Sequence, residues 1–345
     1  MRVLHVYYLP CVTIFGLVGN LLAGVVLARP SLAARSPSQY MLGLCVVNTV
    51  CLLTILHTWM TNYLNVHFYG VGGWCQFIEF VRTLSAFLSV WYAVSLGVDR
   101  FIAECCGRSW RLAACTPFRA KIALVCAAVA GASVFLNICL TVGVIRIAGR
   151  PVCTALLEFA ETRERLDKGD IVVNAMAPVV TLITVHAFII AHMVHRRCRC
   201  GGGTSTGDDG PISVAASRPV GEDEERELRC VRGETTPSLV ITFVFLVFFS
   251  PELVARVAQA TNSIASGFHD TSLRMFLLRK VCENLRCTHY ALNLPVLLTF
   301  HAGFQREVAS LWRFLQERLV RYSAKQDKTA RSASGIEDSD VDTLV

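Results

Sequence analysis

Asp99 and Arg100 stand side by side near the end of a long apolar stretch, WCQFIEFVRTLSAFLSVWYAVSLGVDRFIAE, running from Trp74 to Glu104. A carboxylate beside a guanidinium makes and breaks no covalent bonds. It forms an ion pair that either stabilises a helix end or releases the arginine to a new hydrogen-bonding partner. Glu79 and Arg82 near the other end of the stretch are spaced i,i+3, so they can satisfy one another on one helical face. Arg82 can equally receive a carboxylate or sulfate. Cys198 and Cys200 lack a second ligand pair at useful spacing, so no metal site is expected, and no cofactor.

These charges need elements that can hold them. Of the 345 residues, 53% are hydrophobic, and apolar runs of about twenty residues recur, each long enough to cross a hydrocarbon layer of about 30 Å. The runs are read as spans at 7–28, 39–62, 74–104, 120–145, 171–194, 237–257 and 271–300. The last is the least apolar, punctuated at its start by Arg279, Lys280, Glu283 and Arg286. Glu79, Arg82 and Asp99 would be costly facing lipid, so neighbouring helices must cover them. Asn20 and Asn48 likewise need partners inside a bundle. Pro178 and Pro251 predict bends, the second just after Phe245, Phe248 and Phe249.

The net charge of +7 does not imply nucleic acid. Arg29, Arg35, Arg108, Arg111, Arg119, Arg196, Arg197, Arg199, Arg229 and Arg232 adjoin alternate span ends, which places those links inside and the N-terminus outside. Residues 1–319 then form one membrane domain including an amphipathic helix at 301–319. Residues 196–236 form a flexible third cytoplasmic loop, and 320–345 a flexible cytoplasmic tail. The protein is expected at the cell membrane. Most of the 15 cysteines lie in apolar runs and behave as small hydrophobes; only Cys75 and Cys153 fall in segments assigned to the oxidising exterior.

GLVGN ending at Asn20, YMLGLCVVN ending at Asn48, the spacing from Cys75 to the DRF at 99–101, and FVFLVFFSP together resemble the rhodopsin-like class of G protein-coupled receptors over residues 10 to 315. DRFIAECC followed by CTPFRAKIAL is also similar to invertebrate neuropeptide receptors, the FMRFamide-like group. The resemblance implies an all-α integral membrane protein, a seven-transmembrane helix bundle with a short cytoplasmic amphipathic helix, and a Cys75–Cys153 disulfide. It assigns transduction to Asp99, Arg100, Phe101, His186, Phe245, Phe249, Pro251 and Asn293, with Arg100 supporting the transducer once the sixth helix swings outward. His186, where the family often has tyrosine, can alternatively be a satisfied packing histidine. Asn20, Asn48, Ser89 and Asn293 match the polar centre that holds sodium in the family. Asn48 replaces the usual carboxylate, so sodium regulation is expected to be weak or absent. Phe249 stands where tryptophan is usual, the fourth helix lacks its usual tryptophan, and Leu294 and Leu297 stand where proline and tyrosine follow the family asparagine.

By the same resemblance Arg82 lies on the pocket side, where an amine receptor carries aspartate. A cationic amine is disfavoured, and Arg82, Glu79, Lys280 and Glu283 become candidate contacts for a short peptide or small anionic ligand. The chain is expected to engage a heterotrimeric G protein and to have no enzymatic activity. Arrestin would read phosphorylation at Ser332 or Ser334, and a PDZ domain the terminal DTLV. A membrane transporter is the competing class, and a non-signalling or constitutively active receptor the second alternative.

Overall fold

The computed structural model describes residues 4–64, 72–147, 150–201, 222–265 and 273–333. After a π-helical turn at Leu4–Tyr8, helix α1 (Leu9–Leu27) shows the rule of the whole architecture. Ile14, Phe15, Val18, Leu21, Leu22 and Val25 are exposed, while Gly16, Gly19, Asn20, Ala23 and Leu27 are buried. The outward face is the more apolar one, the arrangement a helix adopts when lipid is its solvent and small or polar residues face its neighbours. At Gly16 an added Cβ would lie 2.7 Å from Leu52 and 2.8 Å from the Ala291 Cβ, so only glycine permits this approach of α1 to its neighbours.

A short α2 (Pro30–Ala33) leads to α3 (Ser36–Tyr63), then α4 (Trp74–Cys105), α5 (Arg108–Ala114) and α6 (Pro117–Phe135). Helix α4 is the central element, packing on α3, α6, α9 and α10. The fourth apolar run does not stay helical to Ile145 as expected. It turns at Leu136, makes α7 (Ile138–Thr141), and enters strand β1 (Val142–Ile147), paired antiparallel with β2 (Arg150–Ala155). β-branched residues in VGVIRI suit a ladder better than a helix, and the hairpin delivers Cys153 to Cys75, where a disulfide joins it to the start of α4. A 3₁₀ turn (Leu157–Phe159) and α8 (Ala160–Ile171) follow the hairpin.

A π-helical turn, Val172–Met176, runs directly into α9 (Ala177–Gly201), with Pro178 at its second residue. Helix α10 (Glu222–Ala265) contains both Pro237 and Pro251. Much of the segment expected as a flexible loop at 196–236 is therefore helical at its two ends, and residues 202–221 lie outside the described set. The last apolar run is divided into α11 (Leu273–Ala291) and α12 (Asn293–Phe300). Pro295 cannot donate to the Ala291 carbonyl, so the helical ladder is already broken there. The Tyr290 carbonyl instead accepts from Asn20 Nδ2 at 2.7 Å. Helix α13 (Ala302–Ala333) extends the expected 301–319 helix and takes in part of the expected flexible tail at 320–345.

Among the described residues, six helical segments are long and apolar enough to cross a membrane: 6–27, 36–61, 74–105, 117–141, 157–196 and 233–258. The α11–α12 pair is not among them, because its charges lower its hydropathy. It is nevertheless packed against α1, α3 and α10, the protein neighbours that such a segment requires.

Candidate functional site

Helices α4 and α10 each carry charged groups at both ends, and the candidate site has two poles. At the Arg100 end, Asp99 and Arg100 are 5% and 3% exposed. Arg100 Nε lies 3.1 Å from Asp99 Oδ2, with a second, shorter contact through Nη2. Ser36 Oγ donates to the other carboxylate oxygen, and the Cys115 thiol donates to the Asp99 carbonyl at 3.4 Å. Burial first, then the Asp99 charge, pushes the Cys115 thiol up to about 12. Phe101 meets Phe188 of α9 edge-on, with centroids 6.0 Å apart.

Sequence reasoning missed the clamp beside this pair. Glu234 of α10 is buried, and its carboxylate is held by Arg35 at the start of α3 and by His301 between α12 and α13, whose Nε2 lies 3.1 Å from Oε2. His301 Nδ1 accepts the Phe304 N–H at 3.1 Å, which leaves the ring proton on Nε2, facing Glu234. The next residue, Thr235, donates to the buried Glu104 of α4 at 2.7 Å. Glu307 of α13 accepts from Ser31 at 2.6 Å and pairs with Arg29 at 3.5 Å. The available signal was that a carboxylate at the edge of an apolar run must find a partner, although the sequence does not say which.

Between the poles lies a polar centre. Asn293 Nδ2 donates to Asn20 Oδ1 at 2.9 Å, and Ser89 Oγ donates to Asn48 Oδ1 at 2.7 Å. These two pairs flank a cavity of about 10 Å³ lined by Asn48, Ser89, Phe245, His289 and Asn293 among others, space for about one water. Phe245 and Phe249 are stacked at 4.8 Å, and Phe245 meets His289 edge-on at 5.4 Å. Pro251 follows this stack in α10. His186 donates through Nδ1 to the Leu182 carbonyl at 2.7 Å, leaving Nε2 3.0 Å from Thr242 Oγ1, a tie from α9 to α10.

At the Cys75 end, Arg82 binds Glu79 Oε2 through Nη2 at 2.6 Å and Nε at 3.1 Å. Arg286 of α11 and Glu283 lie within electrostatic reach of Arg82. The Lys280 side chain lies outside the described set, as do Ser334 and the terminal DTLV, while Ser332 belongs to α13. A larger network escaped the sequence reading. Glu252, immediately after Pro251, accepts from Arg256 Nε at 3.0 Å and pairs with Arg286 Nε at 2.8 Å. Arg256 Nη1 reaches Asp170 at 2.8 Å. Asp170 also accepts from Asn174 Nδ2, and Asn174 Oδ1 accepts from Trp91 Nε1 at 3.2 Å. One chain of contacts thus connects α4, α8, α10 and α11.

Among the described residues no group of three or more His, Cys, Asp or Glu is arranged to hold a metal ion. The arrangement can exchange ion-pair partners at either pole and transmit that exchange through packed rings. The sequence matches the family described as 7 transmembrane receptor (rhodopsin family) over residues 19–300. A search of the curated proteins found no match.

Proposed function

The chain belongs to the rhodopsin family of seven-transmembrane receptors, a family of receptors and not enzymes, and from that premise we propose that it couples an extracellular ligand to a heterotrimeric G protein. Its membership sets aside the transporter reading. The α11–α12 pair serves as the seventh crossing, the N-terminus faces outside, and α13 follows the last crossing on the inner leaflet. The ligand is a short peptide or small anionic molecule that meets Arg82, Glu79, Lys280 and Glu283 at the Cys75 end. The G protein meets the Asp99–Arg100 end.

The observation that carries this reading is the buried Asp99–Arg100 pair at the far end of a helix whose other end is fixed by the Cys75–Cys153 disulfide. A guanidinium held by its own neighbour is already desolvated and can be handed to a new acceptor without entering the bundle afresh. The narrower likeness to FMRFamide-like neuropeptide receptors favours a peptide. Arrestin and a PDZ protein remain proposed partners of the C-terminal segment. A non-signalling or constitutively active receptor is a second reading, favoured by Asn48, Phe249 and Leu297, which depart from the family pattern. A peptide and small-molecule screen read by nucleotide exchange, with a no-ligand control, tests both readings. Arg100→Ala at matched surface expression should abolish exchange; undiminished exchange would reject the transduction role.

A further inference from the structure

Among the described residues, Arg82, Arg256 and Arg286 lie toward the Cys75 end, and their partners differ in kind. Arg82 is held by Glu79 of its own helix, a pair that survives any relative movement of the helices. Arg286 is held by Glu252, a carboxylate only 2% exposed. Arg256 alone of the three bridges to a carboxylate that is both on another element and open to solvent: its own side chain and that of Asp170 are each 25% exposed. Glu252 occupies Arg256 Nε and Asp170 occupies Nη1, and among the described residues Nη2 carries no hydrogen bond, so only the Nη1/Nη2 edge is open to a second acceptor once Asp170 leaves.

Resting on the receptor reading above, we propose that Arg256 is an anion-exchange point, where a ligand's carboxylate or sulfate takes the place of Asp170. Glu252 stays behind as the fixed counter-charge, shared with Arg286. The guanidinium keeps one partner anion throughout: the ligand's oxyanion arrives, and Asp170 turns to solvent, where its charge is hydrated, retaining its Asn174 donor. A bidentate oxyanion fits the guanidinium edge better than the single contact Asp170 makes, so the incoming group gains geometry as well as charge. The mechanical result is loss of the tie between α8 and α10. Helix α10 also carries Glu234, 22 residues earlier and about 33 Å away along the helix axis.

The test uses full-length protein in lipid nanodiscs, with thermal melting as the binding readout so that it does not depend on G protein coupling. Sodium sulfate, against sodium chloride at equal ionic strength, serves as the minimal probe. Tetrapeptide pairs differing only in glutamate or glutamine extend it. Asp170→Asn should shift the sulfate and glutamate-peptide midpoints to at least threefold lower concentration, because the competitor is gone. Arg256→Gln should remove both responses. Its fold is protected because Glu252 keeps Arg286, and Arg256→Lys, which keeps the charge without the fork, should leave a response about tenfold weaker. Identical anion responses in wild type, Asp170→Asn and Arg256→Gln would overturn the proposal. Anion responses that follow the pattern while no ligand yields nucleotide exchange would leave the site standing and reject the signalling reading.

Discussion

On the proposed receptor reading, Glu234→Gln should raise ligand-independent signalling, because it removes the charge that ties α10 to Arg35 and His301. The carboxylate has two partners on two different elements, Arg35 before α3 and His301 between α12 and α13. The Arg35 contact is a hydrogen bond and the His301 contact a charge approach only; a hydrogen bond involving a charged group contributes about 1.5–3 kcal/mol, so neutralising the carboxylate weakens this arrangement by about 1.5 kcal/mol at the low end of that range. Converted to a population ratio, about 1.5 kcal/mol is roughly tenfold in the open-to-closed equilibrium. The assay is nucleotide exchange on purified G protein by receptor in nanodiscs without ligand, at equal receptor concentration. Spin labels on the α10 and α3 ends report the spacing independently. Arg35→Gln and His301→Gln should each give a smaller rise, since each removes one partner. Basal exchange and spacing both equal to wild type in Glu234→Gln would refute the reasoning. A lowered melting temperature with no change in spacing would show that the carboxylate only stabilises.

Breaking the Cys75–Cys153 link with Cys75→Ser or Cys153→Ser should each reduce surface expression severalfold: for a separation of 78 residues the loop-closure contribution has a ceiling of about 4.5 kcal/mol. Quantitative surface labelling checks it. Cys115 should react slowly with maleimide from pH 6 to 9, since its raised pKa of about 12 keeps the thiol protonated until pH approaches that value. Mass spectrometry of timed alkylation gives the rate, and a steep rise near pH 8 would contradict the assignment. Replacing potassium by sodium should leave the wild-type melting temperature unchanged, whereas Asn48→Asp should gain a sodium-dependent rise of a few degrees, because a carboxylate then faces Ser89 and the adjoining cavity.

The apolar runs fixed the membrane class, and the spacing of GLVGN, Cys75, DRF and FVFLVFFSP was enough to indicate the family. Those features are local, and hydropathy or spacing reads them directly. The β1–β2 hairpin was not read from the sequence, because VGVIRI continues an apolar run and its β-branched residues are a weak signal until pairing with β2 and the Cys75–Cys153 link fix it as a strand. The break at Leu292 has a local cause in Pro295, but that Asn20, far away in sequence, donates to the Tyr290 carbonyl there was decided by packing. Glu79 and Arg82 were readable as a pair because i,i+3 spacing on one helix determines their contact. Glu252 with Arg286, and Glu234 with Arg35 and His301, were not: a buried charge announces that it has a partner, but which one depends on how separate helices are rotated against each other, and only the packed bundle decides that.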